Sequence, residues 1–297
     1  MKNDAKFHRQ IIAVIGITLL TAGLTPTSKA DQFTKIDVPA ALGFGTQPFG
    51  INPQGDIVGY YDDNSGNVHG FLLSRGKFTT IDGPGSIGFT EAYGINPQGD
   101  IVGFYSDSIG THGFLLSKGQ FTTFDVPGGQ ETEPQGINPQ GDIVGSYIDS
   151  SGNTDGFLLS RGSFTNIDIP GAVYTLPYGI NPQGSIVGFY VDSSFIEHGF
   201  LLNRGSLTNI DIPGAVPGFT QALGINPETD IVGGYLNNVP PNYLHGFLLS
   251  KGRLTSFDVP AAFGSGTEAT AINPQGDIVG YYFDNITFNA HGFLLSK

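Results

Sequence analysis

Gly94-Ile95-Asn96-Pro97-Gln98-Gly99-Asp100-Ile101-Val102-Gly103 recurs almost letter for letter six times in a chain of 297 residues. The copies place their Asn at Asn52, Asn96, Asn138, Asn181, Asn226 and Asn273, so successive copies stand 44, 42, 43, 45 and 47 residues apart. A period in this range marks stacked supersecondary units, none of which buries its apolar face alone.

One unit reads outward from this stretch as four short strands. Glu91 to Asn96 is strand a, and Asn96-Pro97-Gln98-Gly99 carries the residues of a type I turn. Asp100 to Tyr105 is strand b. After the loop Ser106 to Gly110, His112-Gly113-Phe114-Leu115-Leu116 is strand c, and beyond Ser117-Lys118-Gly119 the run Gln120 to Asp125 is strand d. Turn signals every 8–12 residues make this an antiparallel meander. Strands b and c are apolar on both faces, so each sheet needs cover on both sides, and neighbouring units supply it. Radial stacking of such sheets is a β-propeller.

The ends of the chain select a closed ring. A strand-d pattern, Phe33-Thr34-Lys35-Ile36-Asp37, precedes the first strand a, whereas the last unit stops after His291 to Lys297 with no strand d. The expectation is an all-β, six-bladed β-propeller with four antiparallel strands per blade. Residues 33–38 complete the last blade, and residues 31–297 form a single domain.

Residues 1–30 read as a signal peptide: Lys2, Lys6 and Arg9, an apolar run from Ile11 to Leu24, then Ser28-Lys29-Ala30, with cleavage expected after Ala30. That run is short for a membrane span, so a secreted or periplasmic protein with no stable membrane insertion of the mature chain is expected. There is no Cys, so no disulfide contributes to stability. The chain has 13 Lys/Arg and 26 Asp/Glu; removing the leader takes four and one of these, leaving nine against 25 and a formal charge of −16. A surface this acidic repels nucleic acid and anionic lipid. It also favours a monomer. An extracellular protein or glycan remains as partner.

The pattern Gly-Ile-Asn-x-x-Gly-x-Ile-Val-Gly, 18 residues ahead of His-small-Phe-Leu, resembles the HAF family of extracellular repeats. The resemblance spans residues 33–297. It departs from the family in having Gly in the middle of the closing tripeptide and Asp155 in place of His in the third unit. It implies an exported bacterial repeat protein and carries over no catalytic residue.

In a propeller the a–b and c–d turns share one face, and the b–c and d–a connections share the other. The first pair is tight and nearly constant here; the second varies, which is where binding residues concentrate. Eight of the nine mature Lys/Arg fall in c–d turns, and most of the acids fall in or beside the variable connections. The variable face is therefore strongly acidic, and a field of that sign steers basic partners.

His69, His112, His198, His245 and His291 open strand c in five units. Their ring is too wide for one metal, whose ligands must lie at ~2.0–2.1 Å, so they are read, like the six Asn, as structural. At the start of strand a, Thr46, Thr90, Thr132, Thr175, Thr220 and Thr267 precede Gln47, Glu91, Glu133, Leu176, Gln221 and Glu268. These positions are expected to ring the mouth of the axial channel. Gln47, Glu91, Glu133, Gln221 and Glu268 are the ligand or ion candidates there, with Ca²⁺ at Glu91, Glu133 and Glu268. No other cofactor is implied. No asymmetric constellation of nucleophile, base and orienter is present, so a non-enzymatic binding or scaffold propeller leads. A multivalent lectin and a calcium-dependent hydrolase or lactonase are the alternatives.

Overall fold

Each a–b hairpin forms because its Asn closes its own turn. Asn96 Oδ1 accepts the backbone N–H of Gln98 at 3.0 Å and of Asp100 at 2.9 Å, and its side-chain amide donates to Asp100 Oδ2 at 3.0 Å. The Gly99 N–H returns to the Asn96 carbonyl at 3.0 Å, closing the turn. The same three bonds recur around Asn52 and Asn138, and Asn226 and Asn273 keep the two to Asp230 and Asp277. Asn181 keeps the backbone bonds, with Ser185 standing where the others have Asp. All six Asn are buried. The c–d turns are two-residue hairpins in which both central residues have positive φ, as at Lys118 (50°) and Gly119 (80°). That geometry matches the twist of the flanking strands.

The computed structural model describes residues 32–41, 45–237, 243–260, 266–284 and 286–296. The leader expected at residues 1–30 lies outside them. Strand β1 is Gln32–Ile36. Unit one contributes β2 (Thr46–Ile51), β3 (Ile57–Asp62), β4 (Val68–Ser74) and β5 (Lys77–Ile81). Unit two contributes β6 (Thr90–Ile95), β7 (Ile101–Ser106), β8 (Thr111–Ser117) and β9 (Gln120–Phe124). Unit three contributes β10 (Glu131–Ile137), β11 (Ile143–Ile148), β12 (Thr154–Ser160) and β13 (Ser163–Ile167). Unit four contributes β14 (Ala172–Ile180), β15 (Ile186–Asp192), β16 (Glu197–Asn203) and β17 (Ser206–Ile210). Unit five contributes β18 (Ala215–Ile225), β19 (Ile231–Asn237), β20 (Leu244–Ser250) and β21 (Arg253–Phe257), and unit six contributes β22 (Thr267–Ile272), β23 (Ile278–Phe283) and β24 (Ala290–Ser296). The described residues are all-β, and no helix among them is long and apolar enough to cross a membrane.

The strands pair in chain order within each unit, and β1 pairs antiparallel with β24, so the first strand completes the last sheet. Four sheets have four strands; units two and three instead share one of eight, joined by a single parallel pair, Glu131 with Thr111. The sequence expects separate sheets, and the difference has a local cause. The same parallel contact occurs as an isolated bridge between Val68 and Phe89 and between Ala290 and Gly45. It merges two sheets only where β10 begins early enough to include it.

The core lies between the sheets. Six apolar clusters among the described residues each join consecutive units, for example Val58 of unit one to Ile95, Ile101 and Phe114 of unit two. The sixth joins Val279 of the last unit to Ile51, Ile57 and Phe71 of the first, so the stack returns on itself. The arrangement is propeller-like.

Candidate functional site

A shared irregularity builds the axis. All six units share one slip in the pairing of strands a and b, between Ala92 and Gly94 in unit two and at the matching residues elsewhere, and units four and five have a second one nearer the start of strand a. Phe49, Tyr93, Gln135, Tyr178, Leu223 and Thr270 are the bulged residues, and a bulge re-aims the side chain it carries. Strand b accommodates this with Gly103 and its five counterparts. A Cβ on any of these glycines would lie 1.9–2.2 Å from the carbonyl oxygen of the strand-a residue two before the bulge, Glu91 in unit two. This close approach explains the Gly of Ile-Val-Gly.

The bulged residues of different units meet one another. The Phe49 ring lies 4.5 Å from Tyr93 and 6.0 Å from Tyr281, and Tyr60 lies 6.1 Å from Tyr93. Tyr60 and Tyr281 come from strand b and pair with Gln47 and Glu268 of strand a. Tyr60 donates to Gln47 Oε1 at 3.2 Å, Tyr93 donates to Glu91 Oε2 at 2.7 Å, and Tyr281 donates to Glu268 Oε2. Gln221 donates to Glu197 at 3.0 Å. Burial, followed by the nearby glutamates, pushes the hydroxyls of Tyr60, Tyr93, Tyr178 and Tyr281 well above the usual tyrosine range. Tyr178 feels Glu268, Glu133, Glu91 and Glu197, which belong to four units.

Two readings of this region change. The six Thr do not face a channel mouth: they are buried, and each Oγ1 accepts a backbone N–H from the d–a connection, as Thr90 does from Gly83 at 3.0 Å. Glu91 and Glu268 do not line an open mouth either, being 8 % and 7 % exposed; Gln47, Glu133 and Gln221 are half-buried. No group of three or more His, Cys, Asp or Glu side chains among the described residues is placed to hold a metal ion. Glu91 and Glu268 are committed to tyrosine hydroxyls, and burial favours their protonated forms.

Burial, offset in part by the Tyr93 hydrogen bond and reinforced by Glu133 and Asp62, pushes Glu91 up to about 7 from its ordinary 4.5. The neutral carboxyl therefore contributes stability in full below about pH 4.5, and this is lost as pH rises through about 7. Glu91→Gln should flatten the pH dependence of the melting midpoint across that window, removing up to about 3 kcal/mol of variation. Melting curves from pH 4 to 8 read it; an unchanged slope contradicts it.

Sequence reasoning missed the bulged residues. The signal was in the repeats: within a nearly constant hairpin, the bulged position and Tyr60, Phe104, Ser146, Phe189, Gly234 and Tyr281 of strand b differ from unit to unit. These are the side chains the fold leaves free to vary.

At the start of strand c, on the face of the b–c and d–a connections, the histidines bridge aspartates of their own sheets. His69 Nδ1 lies 2.7 Å from Asp82 and Nε2 3.4 Å from Asp63. His112, His198 and His291 repeat this with Asp125 and Asp107, Asp211 and Asp192, and Asp37 and Asp284. His245 pairs with Asp258 and with Asn237. The third unit has three carboxylates instead, and burial, Asp168 and Asp149 push the Asp155 carboxyl up. The contribution of a group raised in this way is lost as pH rises, so Asp155→His should stabilise the fold at neutral pH by less than ~1 kcal/mol at this screened position and so raise the melting midpoint. A lower midpoint would contradict the reading.

All seven exposed large apolar residues among those described lie on this same face: Ile87, Ile109, Val173, Tyr174, Phe195, Ile286 and Phe288. Phe195 and Phe288 also have positive φ, 61° and 58°. Phe195 occupies the place that Gly66 and Gly152 fill in sister loops at φ 80° and 85°.

The described residues thus form a propeller-like, all-β fold whose axis is lined by aromatic and acidic side chains. No protein-family model matches the chain, and no curated protein is similar to it. Solved structures of the same general shape are a mutant of AofleA from Arthrobotrys oligospora (12 % identity, TM-score 0.56, covering 89 % of this chain and 91 % of that one) and SapL1 lectin in complex with alpha methyl fucoside (11 %, 0.56, 86 % and 93 %). A third is a catalytically inactive virginiamycin B lyase from Staphylococcus aureus with quinupristin (13 %, 0.51, 90 % and 99 %). At such identities the likeness concerns the fold alone.

Proposed function

We propose that the chain is an exported, non-enzymatic, six-bladed propeller that binds a basic, amphipathic protein surface on its loop face. Six Asn-closed hairpins, six inter-unit clusters and the β1–β24 pairing support six blades. The HAF resemblance and the leader pattern support export. Acids steer a basic partner, and exposed apolar side chains among them give it something to bury.

Phe195 carries this reading. A bulky residue in the left-handed region costs roughly 1–2 kcal/mol, and this one is 74 % exposed, so packing does not offset the cost. Glycine serves the same turn in sister units without strain. The probe is a synthetic peptide alternating Lys and Leu, compared with an all-Lys peptide. The Lys/Leu peptide should bind more tightly, with affinity that falls as salt rises; equal binding of the two, or none, removes the proposal.

Glycan binding is the second reading. It is favoured by a groove of ≈ 380 Å³ where the last sheet meets the first, lined by Lys35, Gln54, Arg75 and Phe78 among others. The likeness to the SapL1 lectin supports it at the level of fold. Saturable binding on a glycan array, lost in Arg75→Ala, would move the function there.

A further inference from the structure

The polar groups at the axis are not balanced among themselves. Gln135 is 8 % exposed, and its Oε1 meets no hydrogen-bond donor among the described residues. A buried acceptor left unpaired costs ~1–3 kcal/mol. Sister units avoid this at the same bulge, with Phe49 or Leu223, or with Thr270, whose hydroxyl donates to the Pro48 carbonyl at 2.8 Å. An apolar residue would therefore serve the fold better than Gln135.

Glu133 precedes Gln135 by two residues on β10, and the strand of Glu91 packs against β10, a Cβ on Gly94 coming within 3.0 Å of the Gln135 carbonyl oxygen. Both carboxyls are pushed up chiefly by burial, with Glu133 adding to the effect on Glu91. No basic side chain among the described residues compensates them. Seven of the eight Lys/Arg lie in or beside c–d turns, and Lys35 is on the outermost strand, 2.7 Å from Asp37. The walls are aromatic: Tyr93 stacks on Phe104 at 5.6 Å and Tyr178 on Phe189 at 5.7 Å. Tyr93, Tyr178 and Glu133 are half-buried, so their surfaces still reach solvent.

We propose that this side of the axis binds a protonated primary amine. Its N–H groups donate to Gln135 Oε1 and to the Glu91 and Glu133 carboxylates, and its hydrocarbon part lies against Tyr93 and Tyr178. A hard metal ion would need six or more oxygen ligands at ~2.3–2.6 Å, and no group of three or more His, Cys, Asp or Glu among the described residues is placed to hold one. A neutral sugar would stack on the rings but leave both acids without a counter-charge. An alkylammonium supplies donors, charge and an apolar stem at once, and its cationic end is attracted to tyrosine faces.

The probe is n-butylammonium, titrated into the protein at pH 8 and followed by tyrosine fluorescence, the chain having 12 Tyr and no Trp. It should saturate in roughly the millimolar range, at least tenfold more tightly than n-butanol, tetramethylammonium or methyl fucoside. Gln135→Leu and Glu133→Gln should each weaken it fivefold or more. Gln135→Leu should do so with an equal or higher melting midpoint, which separates loss of the site from loss of the fold. Butanol binding equally well would make the axis merely apolar, and tetramethylammonium binding equally well would remove the N–H contacts. Tighter binding of methyl fucoside would make it a sugar site. Any of these results overturns the proposal, as does failure of the amine to saturate or an unchanged affinity in Gln135→Leu.

Discussion

Gly103→Ala is expected to destabilise the protein by about 3 kcal/mol or more, lowering the melting midpoint by roughly 6–12 °C. The added Cβ would lie 2.0 Å from the Glu91 carbonyl oxygen and 2.9 Å from the Ala92 Cα. Both are backbone atoms, so no side-chain rotation relieves the clash. Relief requires the strand-a bulge to move, and that bulge sets the axis. Gly99→Ala is the matched control. Gly99 has φ 83° with nothing within 4 Å of its would-be Cβ, so alanine there meets strain without collision. It should cost only about 1–2 kcal/mol. Thermal melts of the two variants read the comparison. If Gly99→Ala proved the worse, left-handed turn geometry, and not contact across the bulge, would explain the glycines of the repeat.

Deleting residues 32–38 should have a comparable or greater effect. Strand β1 makes five cross-strand residue pairs with β24. Ile36 and Val38 are buried at 5 % and 6 % exposure, in the cluster that joins the last unit to the first. The Val38 N–H also donates to Thr46 Oγ1 at 2.9 Å. Losing two buried aliphatic side chains removes roughly 3–6 kcal/mol, a large share of the 5–15 kcal/mol typical of a folded domain. It also exposes the β24 edge to other chains. The truncated protein should melt more than 10 °C lower or aggregate, and a synthetic peptide of residues 32–38 added in trans should restore part of the loss. A midpoint within 2 °C of the full chain would show that the stack does not depend on this closure.

Much of this architecture was legible in the sequence because its causes are local. Asn96, Pro97 and Gly99 specify their turn within four residues, and the apolar Ile101-Val102 and Phe114-Leu115 demand cover on both faces. The early strand-d pattern at Phe33 announced its pairing with the end of the chain. The axis was less legible. Alternation along strand a, counted without a bulge, does not single out Tyr93 or Gln135 as the residue that faces the other units. Thr90 looked like a pore residue because Ser and Thr hydroxyls suit either a wet rim or a buried backbone N–H, and only the position of Gly83 decides between them. Glu91 looked solvated because a carboxylate seldom lies buried without a cation; Tyr93, two residues on, supplies its hydrogen bond instead. The aspartates around His69 lie 6 and 13 residues away in sequence, so the repeat implied their proximity but could not show which ring nitrogen faced which acid.

The loop-face proposal is tested most directly by titrating the Lys/Leu peptide into Phe195→Gly alongside the unaltered protein. Glycine relieves the strain of φ 61° and removes an aromatic ring that is 74 % exposed. The account predicts that affinity falls at least threefold while the melting midpoint holds or rises by a few degrees, a signature that simple damage to the fold does not produce. Unchanged affinity, or a midpoint that drops with it, would contradict the claim that Phe195 is held in a strained, exposed position in order to bind.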